Sequence, residues 1–180
     1  MEEELRYVAI ELPEEYIWVM MVASLLSVEA LLLGCILPSK ARSRTYLKPE
    51  IMEKIAKLHL EGMGREPRNV IAGYPDHGTG RFSTPDILSY SQWLEINKAQ
   101  RIHRNFLEQL PVAMVLTLVS GFELPIISCI VSGLFAISRL LYMLPNRGLG
   151  FITGNLCLIL LSIGALFSSG KLVADIMKLE

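Results

Sequence analysis

Three cysteines in 180 residues are too few for a disulfide framework, and Cys35, Cys129 and Cys157 lack the close spacing of metal-ligand pairs. They read as small buried apolar residues. No zinc, haem or Ser-His-Asp arrangement is present, so no metal is expected. No internal repeat is found. The loop "HGTG" (residues 77–80) invites a phosphate-binding reading, but no Lys-Ser/Thr follows and no strand pattern precedes it. It reads as a turn. The amino-terminal "MEEELRYVAIELPEE" lacks the basic start of a cleavable signal peptide, which makes the first apolar stretch a retained one. With a net charge of −1, no nucleic-acid partner is expected.

Charge is also scarce in four long stretches: 16–38, 110–122, 125–144 and 148–170, which hold only Glu29 and Arg139 between them. The chain is 52% apolar, and helices that are apolar all round are not solvated by water. A hydrocarbon core about 30 Å thick needs about 20 helical residues to cross it, and only helices or closed barrels satisfy their backbone there. The expectation is an all-α integral membrane four-helix bundle forming one domain over 1–180. Its spans would cover about 15–38, 103–122, 125–144 and 148–170, with a long polar loop over 39–100. Membrane lipids are then obligatory partners.

Basic residues concentrate between Ser39 and Arg104, which hold 12 of the 17 in the chain, while six glutamates crowd the first fifteen positions. The positive-inside tendency puts the long loop and the turn at Arg147 on the cytosolic side and both termini opposite. Pro13 starts the first helix and Pro38 ends it. In "KPEIMEKIAKLHLEGMG", Ile51, Ile55 and Leu58 recur at helical spacing. This predicts a short amphipathic helix on the membrane surface, stopped by Gly62 or Gly64. Ser89 with Gln92 three residues on resembles a capping box. It would open a helix running unbroken into the second span. Tight turns follow at 121–125 and at 145–148.

The entrance to that span, "NKAQRIHRNFLEQLP", is far more polar than a lipid crossing requires. At 100° per residue, with Arg101 at the origin, Arg104, Asn105 and Glu108 fall at roughly −60°, +40° and −20°, and His103 near −160° on the back. Two guanidiniums, an amide and a carboxylate share one face. One reading is an i,i+4 pair between Arg104 and Glu108. The other is a polar site for a small, extended, anionic ligand, because arginine forks suit carboxylates and ionisable groups at this depth are costly unless they serve a function. Arg42, Arg139, Tyr142 and Arg147 are expected on the same side of the membrane. Glu29 lies deeper and has to be protonated or paired, with Arg139 a candidate partner.

Three patches carry a family resemblance: "SKAR" at the end of the first span, "AQRIHRNFLEQLP", and "SRLLY" in the third. The chain resembles the membrane-associated eicosanoid and glutathione enzymes, the MAPEG family, nearest its microsomal glutathione transferase 3 branch. The resemblance implies a homotrimer with glutathione as co-substrate at each subunit interface, in the endoplasmic reticulum or a mitochondrial membrane. It assigns glutathione binding to Arg42, Arg101, Asn105, Glu108 and Tyr142, which Arg104 and Arg139 join by their placement, and thiol activation, the catalytic role, to Arg147. Transfer to lipophilic electrophiles or reduction of lipid hydroperoxides is the implied chemistry. Gln109 stands where some members carry a ligand-contacting Tyr, and "YMLPNRGLG" is shorter than the family's turn. These departures keep a second reading open: a catalytically degenerate structural subunit of a larger, mitochondrial or other, membrane complex.

Overall fold

The computed structural model describes residues 11–45, 47–65, 87–144 and 147–178. Among them are five helices and no strand: α1 (Tyr16–Arg44), α2 (Pro49–Met63), α3 (Tyr90–Gly121), α4 (Pro125–Tyr142) and α5 (Arg147–Met177). The fold is all-α, as expected. The "HGTG" turn, and Pro145 and Asn146 of the last turn, lie outside the described residues.

Three helices, α1, α4 and α5, are long and apolar enough to cross a membrane. The residues expected to form the second span, 103–122, fall in α3, which has the length (32 residues) but is not apolar enough to be counted with the other three. Where lipid-facing side chains are needed they are present: Leu25, Ile130, Ile137, Ile152 and Leu166 are among many large apolar residues exposed on this chain. In water such a surface would aggregate; in a bilayer it is the solvated one.

Pro38 does not end α1. The helix continues through it to Arg44, although proline forfeits one backbone hydrogen bond and crowds the carbonyl four residues back. That residue is Gly34, and the ring of His103 seats directly on it: a Cβ at position 34 would overlap the imidazole. The close approach and the proline thus sit one turn apart on α1. Pro49 and Pro125 instead occupy first-turn positions, where a missing N–H costs nothing.

The chain divides into two units, Met1–Glu29 with Leu107–Glu180, and Ala30–Phe106. In the first, α3, α4 and α5 are joined by a ladder of buried hydroxyls. Thr117 Oγ1 and Ser132 Oγ are 2.6 Å apart, Ser120 Oγ and Ser128 Oγ 2.8 Å, and Ser168 Oγ donates to the Ser120 carbonyl at 3.1 Å. Small and hydroxylated residues let membrane helices approach closely and satisfy one another. Gly150 takes this furthest, since a side chain there would strike the backbone of Ser138 and Tyr142. Tyr16 closes the opposite end, stacking on Phe122 with centroids 5.4 Å apart and donating to the Leu118 carbonyl at 3.1 Å.

In the second unit, Ile51 and Ile55 of α2 pack with Ile87, Leu88 and Ile96. The apolar face expected to lie on the membrane is therefore covered by protein, while Leu58 and Met63 stay exposed. Gly64 ends α2 in the left-handed conformation (φ 66°), its N–H donating to the Leu60 carbonyl. The capping box at the start of α3 forms in both directions: Ser89 N–H donates to Gln92 Oε1 at 2.9 Å, and Gln92 N–H donates to Ser89 Oγ at 3.4 Å. Cys129 and Cys157 are half-buried and buried, but Cys35 is exposed. The expectation that all three are buried therefore fails at α1, where position 35 turns away from the packed face.

Candidate functional site

Because α3 is unbroken from Tyr90 to Gly121, the predicted angular phasing holds along its length. Ile96, Ala99, Ile102 and Phe106 form its buried back. Arg101, Arg104 and Glu108 are exposed on the other side, with Asn105 half-buried beside them. Over about 10 Å of helix axis the front face is thus a row of charge and amide above an apolar floor.

The four residues are not equivalent. Arg104, Asn105 and Glu108 each have an interaction partner, and so does the half-buried Arg42 at the end of α1. Arg101 is exposed, and among the described residues no hydrogen bond or ion pair engages it. Its fork, with five donors, stays available to a carboxylate. Arg42, Arg101, Arg104 and Asn105 belong to the second unit, whereas Glu108, Arg139, Tyr142 and Arg147 belong to the first.

In the first unit Arg139 is only 2% exposed. Its Nη1 donates to Gln109 Oε1 at 2.6 Å, Nη2 to the Gly150 carbonyl at 3.3 Å, and Nε to Ser138 Oγ at 3.3 Å. The guanidinium lies 4.8 Å from the Phe135 ring centre and 5.8 Å from that of Tyr142, within cation–π range. Its seat is Gly154, where a Cβ would overlap Nη2. Arg139 therefore ties α3, α4 and α5 together. Sequence reasoning assigned it to a ligand and passed over Gln109 and Gly154. The available signal was the pair Gly150 and Gly154, one turn apart opposite the "SRLLY" segment.

Tyr142 is half-buried at the end of α4, and Arg147 opens α5. An arginine in a helix's first turn opposes the macrodipole, and both present positive potential to whatever approaches. Together they favour an anion. Of the two states expected for Glu29, protonated or paired, no ion pair with Arg139 is formed, and among the described residues one carboxyl oxygen is buried without a hydrogen-bond partner.

No curated protein and no solved structure matches the chain. A family model does, over residues 20–167, and its description is the MAPEG family. This match takes in most of α1, the α3 face, Arg139 with its glycine seat and the Arg147 turn. With most of its length so matched, and with three helices long and apolar enough to cross a membrane, the chain is an integral membrane protein that belongs to the MAPEG family.

Proposed function

We propose that the chain binds glutathione along the polar face of α3 and uses its thiol against lipophilic electrophiles or lipid hydroperoxides, as a member nearest the microsomal glutathione transferase 3 branch. The observation that carries this reading is Arg101, an exposed guanidinium without a partner among the described residues, in a row with Asn105 and Glu108. Glutathione is small and extended, with two carboxylates, two peptide bonds and one ammonium. Arg101, Arg104 and Arg42 answer the carboxylates, Asn105 a peptide bond, and Glu108 the ammonium. Tyr142 lines the ligand. Arg139, engaged by Gln109 and Gly150, takes a supporting role and holds the helices that present the site.

Free thiols ionise near pH 8.5 and are mostly protonated at neutral pH. Arg147, at the amino terminus of α5, lowers that value for the bound thiol by stabilising the anion. In conjugation the thiolate forms a carbon–sulfur bond with the electrophile, and the leaving group departs or the adduct takes up a proton. In peroxide reduction two glutathiones become the disulfide while the hydroperoxide becomes alcohol and water. The lipophilic substrate arrives through the bilayer, in the endoplasmic reticulum or a mitochondrial membrane. A homotrimer would cover the α3 face with protein, Arg42 arriving from a neighbour.

The test is glutathione binding and conjugation by the purified wild-type chain beside Arg101→Ala. Binding that is strong in the wild type and weak in the variant supports the reading; no binding by the wild type ends it. The internal engagement of Arg139 favours one rival, a subunit that has kept the fold and given up turnover. Binding without turnover across a panel of electrophiles and hydroperoxides would select that rival.

A further inference from the structure

The outer face of α1 changes character near its end. Every fourth residue of a helix lies on one ridge, and one ridge of α1 runs Leu32, Ile36, Lys40, Arg44. Leu32 and Ile36 are 52% and 53% exposed, within the stretch that crosses the hydrocarbon. Lys40 and Arg44 are exposed as well, and so are Ser39 and Ser43 beside them. Ala41 and Thr45 are buried, and Arg42 is half-buried. Arg42 lies roughly 160° round the helix from either cation. The segment "SKARSR" is thus sorted by side: two cations and two hydroxyls face outward, while the arginine given above to glutathione turns away from them.

Depth decides what meets that outward face. Residues 16–38 rise about 34 Å, enough to cross a hydrocarbon core of about 30 Å, and the headgroup layer adds about 5–8 Å on each side. Lys40 and Arg44 follow Ile36 by about 6 and 12 Å. Lys40 therefore stands in the headgroup layer, with Arg44 at its outer edge and within side-chain reach of it. Among the described residues no hydrogen bond or ion pair engages Lys40. Arg44 meets only Glu95, at 3.8 Å, with both side chains well exposed. An exposed pair of that length contributes little, and a phosphate can displace it. A phospholipid lying along Leu32 and Ile36 brings its phosphate to these cations without leaving the bilayer.

We propose that this ridge is a binding site for one anionic phospholipid. Its chains lie on Leu32 and Ile36, Lys40 and Arg44 hold the headgroup phosphate, and Ser39 and Ser43 supply further donors. The net charge of the headgroup sets the selectivity, because phosphatidylcholine carries beside its phosphate a cation that the two basic side chains repel. The site is separate from the α3 face and needs no glutathione.

The experiment titrates the full chain in detergent with dioleoylphosphatidylglycerol or dioleoylphosphatidylcholine, without glutathione, and counts bound lipids by native mass spectrometry. The wild type should bind the first phosphatidylglycerol more tightly by about fivefold or more, the worth of one basic residue at an anionic surface. Replacing both cations, Lys40→Gln with Arg44→Gln, should bring the two lipids level and leave phosphatidylcholine binding unchanged. Lys40→Arg, which keeps the charge, should retain the preference, and so should Arg101→Ala. Glycerophosphoglycerol, the same headgroup without chains, should displace nothing. Equal binding of the two lipids by the wild type overturns the proposal, as does a preference that survives loss of both cations. A preference lost in Arg101→Ala would put the lipid on α3, and displacement by glycerophosphoglycerol would make the ridge a site for soluble anions; either result overturns it too. The wild-type comparison and the competition decide even if a variant fails to fold.

Discussion

An arginine in a membrane protein has to place five donors, and Arg101 and Arg139 place them in opposite ways. Arg139 is buried and answered by Gln109, Gly150 and Ser138, whereas Arg101 faces outward. Replacing Arg101 with Ala should weaken glutathione binding by about 2 kcal/mol, the usual worth of a charged hydrogen bond, and titration calorimetry would measure it. Lysine at 101 should restore the charge but not the fork, and so recover only part. For Gln109→Leu the expected loss is in stability, because a buried guanidinium donor goes unanswered at a cost of about 1–3 kcal/mol. A lowered melting temperature in detergent would register it. Arg147→Ala should leave glutathione bound while the ultraviolet thiolate absorbance disappears; loss of binding with the absorbance would mean Arg147 holds the ligand instead.

Helix boundaries were legible wherever the signal was local. Ser89 and Gln92 form the capping box that their spacing announces, and Gly64 stops α2 in the left-handed conformation glycine tolerates best. Substituting Ser89 with Ala should cost about 1 kcal/mol of helix stability, visible as faster amide exchange over 90–93. Legibility failed where a distant partner decides. Pro38 looked like a terminus because its penalty is written in the sequence, while the packing of His103 on the turn before it is not. The face of α2 was correctly read as apolar, but periodicity tells which side is apolar and not what covers it. Ile87 and Ile96 cover it here. The α3 face was legible for the same reason as the caps, since 100° per residue is fixed by backbone geometry. Arg139's commitment to Gln109 was hidden because it joins residues thirty positions apart.

For the molecule in its membrane, a charged row that leads straight into an apolar helix cannot be left against lipid. The purified chain should therefore behave as an oligomer, a trimer if the proposed assembly is right. Light scattering in detergent, corrected for bound detergent, would give its mass. A strictly monomeric species that still binds glutathione would refute the assembly. The seat of His103 on Gly34 has a bearing on this row as well. His103 projects from the side of α3 roughly opposite Arg101, so the missing side chain at 34 acts as a gauge block: its thickness sets the roll of α3 about its own axis. Even a methyl group there would overlap the imidazole and force it back, and where α3 yields along with the ring the arginine row turns too. A residue with no polar atom beyond its backbone would then govern where the guanidiniums aim, and Gly34→Ala should register first as lost ligand affinity rather than as unfolding.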